Sequence, residues 1–443
     1  ILFDGTVPNV PRTRSYQSPL DTSDQEIGRL QLDVERRFGE RFTLRNKTYY
    51  RDLDWVSRGT SLVGAFPNQL GRIEVSRTLL DLDDHQRFTG NQLEGLWQLE
   101  GLGVTHSLLV GWELSRQQDE FTFDVGLLPS LDLVNPQEID PLPIFPIPGQ
   151  AFGADARTVT SAPYAVDQIS FSDRFQLLLG LRYDSIGFED RVSGADRSFD
   201  ELSPMVGVVV SPTTDLSFYA SAGNAFAAPS TFVAGAERVP EKSRQLEVGV
   251  KQRMLGGKLH GTLAVYRLER ENIAIPDANG ITRQTGDQRS QGVELELEAA
   301  PAPGWKARLA YAYDDAELTD FTQRVQVALF PPAFVTVDLS GNRPAFAPEH
   351  LLDLWVSKRF PTGWGLAGGA RWVSEQYIAE NNAFAIDGYT TFDAAVFYDL
   401  ETWRFQLNLK NLTDEDYYTR GFGDTSVIPA PGIAAYGGVE VRF

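Results

Sequence analysis

Residues 292–298 read Gly-Val-Glu-Leu-Glu-Leu-Glu. Val293, Leu295 and Leu297 alternate with Glu294, Glu296 and Glu298. A period of two belongs to an extended strand whose successive side chains point to opposite faces. One apolar face and one charged face place that strand between an oily phase and a wet one. The pattern recurs at 177–184, where Leu179, Leu181 and Tyr183 share one face and Gly180, Arg182 and Asp184 the other. It recurs again where Leu407 and Leu409 alternate with Asn408 and Lys410. The stretch Val439-Glu440-Val441-Arg442-Phe443 does the same and stops on an aromatic residue. A soluble sheet blunts such an edge, whereas an outer-membrane barrel seats an aromatic at the lipid interface.

About 17 strands of this kind are predicted along the chain, each roughly 10 to 15 residues long and able to cross a bilayer at a tilt. They start near Glu26, Phe42, Phe88, Thr105, Thr158, Phe175, Phe199, Asp215, Lys242, Lys258, Arg289, Trp305, His350, Gly363, Gly388, Trp403 and Ile433. Their connections alternate between short ones, such as 38–41, 100–103, 301–304 and 399–402, and long ones following Trp55, Gln118, Phe188, Phe226, Ile275, Asp320, Ile378 and Tyr418. Short periplasmic turns and long external loops predict an all-β, antiparallel transmembrane barrel of the outer-membrane type. Residues 55–87 and 125–150 are then external loops.

Composition narrows the function. A net charge of −20 argues against nucleic acid, which calls for a basic face. The absence of Cys removes disulfides, thiolate metal sites and Cys nucleophiles. No run approaches the apolar length of a helical span. A mean hydropathy of −0.24 still allows a barrel, because alternation hides the apolar face. The four His (His85, His106, His260, His350) have no metal-ligand spacing, and nothing resembles a nucleophile elbow. No catalytic residue, metal site or cofactor is predicted. Asp52, Asp54, Asp81, Asp83 and Asp84 lie in or near a predicted external loop and read as a solvated acidic stretch, with weak divalent-ion binding as the alternative.

Several segments occur in a telling order: Leu131-Asp132-Leu133-Val134-Asn135-Pro136; Tyr164-Ala165-Val166-Asp167-Gln168; Leu179-Gly180-Leu181-Arg182-Tyr183-Asp184; Tyr219-Ala220-Ser221 with Phe226 and Pro229; Pro240-Glu241 with Glu247-Val248-Gly249-Val250-Lys251; Gln291-Gly292-Val293-Glu294-Leu295-Glu296 with Pro303-Gly304-Trp305; Asn342-Arg343-Pro344; Ala347-Pro348-Glu349-His350; and Asn408-Leu409-Lys410-Asn411-Leu412-Thr413-Asp414. Together they resemble the TonB-dependent siderophore receptors, most closely the ferrichrome type. The resemblance implies a receptor of the bacterial outer membrane that binds a ferric siderophore outside and imports it with energy from a TonB complex. It also implies an N-terminal plug inside a barrel of about 22 strands. Neither a plug nor a TonB-binding segment is found in residues 1–443, so the TonB complex is expected to engage a region absent from this chain. With about 17 strands the first and last would both run downward, and about five further strands are expected upstream of Ile1. A monomer surrounded by outer-membrane lipid is expected. The alternatives are another cargo of the same family (cobalamin, haem or a sugar) and a passive pore or structural barrel.

A receptor reads the organic shell of a ferric siderophore with aromatic faces and a few hydrogen-bonding groups rather than with metal ligands. Phe226 matches the family's aromatic after Tyr219-Ala220-Ser221. Tyr49 points inward by parity with Arg45 and Lys47. Trp55, Phe121, Phe123 and Phe422 lie at the mouths of external loops. These six are the candidate ligand-binding residues, although for any one ring girdle or loop packing is the commoner role. Arg45, Lys47, Arg51, Arg182 and Arg371 are placed along the inner wall, and Tyr183, Trp112 and Phe443 on the lipid girdle.

Overall fold

The computed structural model describes residues 1–101, 103–147, 151–228, 239–276, 282–328, 333–423 and 425–441. Long strands dominate them. The first eight are β1 (Thr22–Phe38), β2 (Phe42–Pro67), β3 (Ile73–Gly101), β4 (Val104–Asp132), β5 (Phe152–Ser172), β6 (Phe175–Asp190), β7 (Ala195–Thr213) and β8 (Leu216–Ala227). Then come β9 (Glu241–Met254), β10 (Leu259–Pro276), β11 (Thr282–Ala299), β12 (Trp305–Ala328), β13 (His350–Arg359) and β14 (Trp364–Val373). The last are β15 (Tyr389–Asp399), β16 (Trp403–Lys410) and β17 (Ala434–Val441). With the short pieces Phe145–Pro146 and Ala333–Asp338 they form one 19-stranded sheet. No α-helix occurs among the described residues.

Each long strand pairs antiparallel with the next in sequence. Among the described residues β1 pairs only with β2, and β17 only with β16, so the sheet is open along those two edges. The short turns carry left-handed glycines, including Gly39 (φ 68°) and Gly304 (φ 76°). At Gly304 a Cβ would lie 2.2 Å from the carbonyl oxygen of Arg359, so a larger residue cannot make that turn.

The sheet's two faces obey the alternation. On the outer face Leu30, Leu32, Trp112, Leu181, Tyr183, Val248 and Val265 are all exposed. Phe38, Phe42 and Trp97 stack across three strands at the periplasmic end, with ring centroids 5.6 and 4.8 Å apart. Ten residues up the ladder from Phe38, the outer face turns polar at Gly28, Asp52 and Arg87. At about 3.3 Å per residue and a tilt of about 40°, that interval is about 25 Å, the height of the apolar band of an outer-membrane barrel. On β12 to β14 the upper rim of the band carries Tyr311, His350 and Trp372, with His350 about midway between the other two rings (6.1 and 5.9 Å). Phe443 lies outside the described residues.

The sheet overshoots this band widely on one side. β3 and β4 have 29 residues each, about 95 Å of strand at about 3.3 Å per residue, where about 10 residues cross the apolar layer. The overshoot lies opposite the short turns. The expected external loop at 55–87 is therefore not a loop: β2 and β3 stay paired from Phe42↔Trp97 to Pro67↔Ile73, and only 68–72 turn. The stretch after Gln118 likewise stays in β4 to Asp132. The acidic run divides by parity. Asp52, Asp54, Asp81 and Asp83 stand on the outer face, the first three tied to Arg87, His85 and Arg58 respectively, while Asp84 turns inward and is 1% exposed. His85 lies on β3, not in a loop.

Residues 1–21 run across the outer end of the sheet from its last strands to its first. Leu2 N donates to Thr425 O (2.6 Å), and Leu2 packs with Ile378, Ile386 and Val427. Arg12 pairs with Asp416. Tyr16 packs with Ala65, Val75, Leu131 and Leu133, and its hydroxyl donates to Leu133 O (2.7 Å). Thr425 Oγ1 also donates directly to Leu62 O (3.2 Å). The loop before β17 thus touches the top of β2, and the sheet curls toward closure at its outer end.

Candidate ligand-binding face

The inner face of the wall is polar where it crosses the membrane. Tyr49 on β2 donates to Glu113 on β4 (3.2 Å). Arg182 on β6 donates to the same Glu113 (2.9 Å) and to Asp184 (2.7 Å). Tyr164 on β5 donates to Glu94 (2.7 Å) and accepts from Gln92 (2.9 Å). Cross-strand ties of this length need the side chains to converge, which marks this face as the concave one. Arg45 and Lys47 pair with Glu35 and Asp33 of β1. Three of the wall cations, Arg45, Lys47 and Arg182, are thus matched by wall carboxylates.

Above the membrane layer the same face becomes aromatic. Leu82, Phe121, Ala154, Ala156, Phe188 and Ala195 form a buried cluster, with Trp55, Phe123, Phe152 and Phe199 packed on it and partly open. All lie on β2 to β7. Phe121 meets Phe152 edge-on at 5.7 Å, and Phe123 meets it tilted at 5.0 Å. Trp55 Nε1 donates to Ser23 Oγ (3.0 Å). Small residues on β5 leave room for the rings: Ala154 and Ala156 are the inner-face residues of that strand within the cluster.

The structure thus brings three of the six candidates together. Trp55 and Phe123 present ring surface. Phe121 is 2% exposed and acts as the floor beneath them. Tyr49 is inward as parity requires, but it lies lower, stacked on Phe88 at 5.4 Å with its hydroxyl engaged. Phe226 falls elsewhere. Its ladder with β9 is unbroken, and Tyr219, whose hydroxyl donates to Glu247 (2.7 Å), is an inner residue seven positions earlier. An odd separation reverses the face, so Phe226 shares the outer face with exposed Phe218. The backbone of Phe422 sits in the hairpin Tyr418–Phe422/Ser426–Pro429 near residues 1–3, and its side chain lies outside the described residues.

Sequence reasoning missed Phe152, Phe188 and Phe199. They carry the same parity as Arg182 and Glu113, and extending the β5 to β7 ladders upward would have found them. It also missed Arg77. That side chain is fully buried and donates to Tyr16 O (2.9 Å), to Pro129 O (2.9 and 3.2 Å) and to both Glu138 oxygens (2.7 and 3.0 Å). Register shifts beside it in both flanking ladders re-aim the side chain, a common use of β-bulges.

A sequence profile described as "TonB dependent receptor-like, beta-barrel" matches residues 2–412. The chain belongs to that family. It is an outer-membrane protein, and its relatives are receptors and transporters rather than enzymes. It is similar to the metal-pseudopaline receptor CntO of Pseudomonas aeruginosa (28% identical, covering 95% of this chain and 60% of the receptor). It is also similar to the ferric-pyoverdine 358 receptor of Pseudomonas putida (23%; 97% and 54%) and to the ferrichrome outer membrane transporter/phage receptor of Escherichia coli (29%; 72% and 43%). The chain therefore spans 60% or less of these relatives' length. The crystal structure of the siderophore receptor PiuA from Acinetobacter baumannii superposes with a TM-score of 0.83 at 20% identity, over 98% of this chain and 67% of PiuA. That likeness shows the fold. The ferrichrome relative stands beside receptors for other chelates at comparable identity, so the expected ferrichrome type is not singled out.

Proposed function

We propose that residues 1–443 form the wall of a receptor that binds a ferric siderophore, or a similar metal chelate with an organic shell, from outside the cell. Import would be TonB-dependent, through segments that pair with the open edges of β1 and β17 and fill the lumen. The observation that carries this reading is the partly open aromatic shelf of Trp55, Phe123, Phe152 and Phe199. It lies on the concave face, above the lipid layer and over a polar lumen. Ring faces suit the apolar shell of a chelate, and the engaged tyrosines and carboxylates below supply the few polar contacts such a ligand needs. A barrel of about 22 strands with a plug is the completed form this reading implies. Relatives named for pyoverdine, ferrioxamine and metal-pseudopaline complexes support a chelate cargo over cobalamin, haem or a sugar.

Quenching of tryptophan fluorescence by a panel of ferric siderophores tests the site. Trp55→Ala and Phe123→Ala should each weaken binding several-fold, since one such ring contact contributes on the order of 1 kcal/mol beyond area burial. Phe226→Ala should leave it unchanged. Full affinity in both shelf variants would remove the shelf from the site. Uptake that persists without TonB would refute the transport mechanism.

A further inference from the structure

Two cations of the inner wall lie below the aromatic shelf without a matching acid. Arg29 of β1 and Arg51 of β2 stand directly opposite each other in the ladder, on the face that Arg45 and Tyr49 share. Arg29 is exposed and Arg51 half-buried. Like charges placed opposite on one sheet face, with Cβ atoms about 5 Å apart, destabilise the pairing. The nearby wall acids are engaged elsewhere: Asp33 by Lys47, Glu35 by Arg45, and Glu113 by Arg182 and Tyr49. Level with the pair, β3 and β4 present Phe88 and Gln117. Asp119 stands one step higher and two strands from Arg51, about 10 Å across the sheet, and does not pair with it. Among the described residues neither guanidinium forms an ion pair or hydrogen bond, and Arg51 Nε is shielded from water with no acceptor.

We propose that Arg29 and Arg51 form an anion subsite that, with the shelf, selects ferric chelates whose organic shell carries a free carboxylate. This rests on the shelf reading above and names its substrate class. The subsite is bounded below by Tyr49, stacked on Phe88 with centroids 5.4 Å apart. Trp55 lies four residues further up β2 on the same face, about 13 Å along the strand. Leu53 and Ile27, paired across the ladder, fill the interval with apolar surface. A chelate can therefore rest its shell on the rings and turn a carboxylate down to the guanidiniums. Guanidinium N–H groups suit bidentate pairing with a carboxylate, and the incoming charge relieves the repulsion between the two arginines. A neutral shell gains neither effect. The other source of a carboxylate here is a segment that fills the lumen, and stability measured without ligand distinguishes the two.

The receptor purified from outer membranes is titrated, by tryptophan fluorescence quenching, with a ferric trihydroxamate bearing one free carboxylate and with its methyl ester. The wild type should bind the acid about tenfold or more tightly than the ester, as hydrogen bonds between charged groups allow. That ratio should fall toward one in Arg51→Gln and in Arg29→Gln. Chemical denaturation without ligand should place the unfolding midpoint of Arg51→Gln at or above that of the wild type, because one of two like charges is gone. A lowered midpoint would mean that a carboxylate of a lumen-filling segment already neutralises the pair, and would overturn the proposal. Equal affinity for acid and ester in the wild type would also overturn it, as would a ratio unchanged in both variants. Trp55→Ala separates this proposal from the reading beneath it. If that variant weakens both probes while the wild type binds them equally, the shelf stands and the anion subsite falls. If neither probe binds the wild type, the shelf reading fails and the anion subsite with it.

Discussion

Arg77→Leu isolates the tie that holds residues 1–21 against the outer end of the wall. Arg77 is fully buried, and its five donor contacts all leave its own strand, to Tyr16 O, Pro129 O and Glu138. Leucine fills part of the volume but donates nothing. Removing one partner of a buried ion pair costs about 3–5 kcal/mol. Glu138 is 26% exposed and regains water, so the low end, about 3 kcal/mol, is expected. At about 1.4 kcal/mol per factor of ten, local opening becomes roughly a hundredfold more frequent. Hydrogen exchange read by mass spectrometry should show this acceleration in 14–18 and 131–138 and none in β6 to β8. Acceleration below about threefold would mean that Tyr16 and its apolar neighbours hold the segment, and the reasoning from Arg77 would fail.

Three further outcomes are expected. Leu181→Arg, on the outer face in the middle of the apolar band, should destabilise the wall by about 2–4 kcal/mol in lipid, whereas the lumen substitution Gln168→Arg should cost far less; chemical denaturation in vesicles compares them. Arg182→Leu leaves Glu113 and buried Asp184 without their cation and should lower stability by about 3 kcal/mol in the same assay. Substituting Gly304 by Ala should slow folding or shift the β11–β12 turn, because the added Cβ meets Arg359 O; refolding followed by gel mobility reads it.

The membrane-crossing part of the fold was legible because lipid enforces the period. Leu179, Leu181 and Tyr183 must face oil while Arg182 and Asp184 face the lumen, and no other assignment satisfies both. Above the lipid that constraint disappears. Asp81, Asp83 and Asp84 face water on one side and rings on the other, so the stretch reads as an acidic loop although it is strand throughout. The shelf was half legible for the same reason. Trp55, Phe121 and Phe123 were visible as loop-mouth aromatics, but their partners Phe152, Phe188 and Phe199 needed the ladders. Phe226 was chosen by resemblance, and counting seven residues from Tyr219 would have put it on the other face. Arg77 left no sequence signal, because β-bulges rather than parity aim it.

The most direct test of the central claim, a barrel wall with short turns inside and long strand extensions outside, uses the absence of native Cys. Single cysteines placed at Leu70, Val192, Leu255 and Leu400, all exposed, are treated in intact cells with a thiol reagent that cannot cross the outer membrane. The account predicts labelling at Leu70 and Val192 and protection at Leu255 and Leu400 until the membrane is opened. Labelling of Leu255 or Leu400 in intact cells, with Leu70 and Val192 protected, would contradict it.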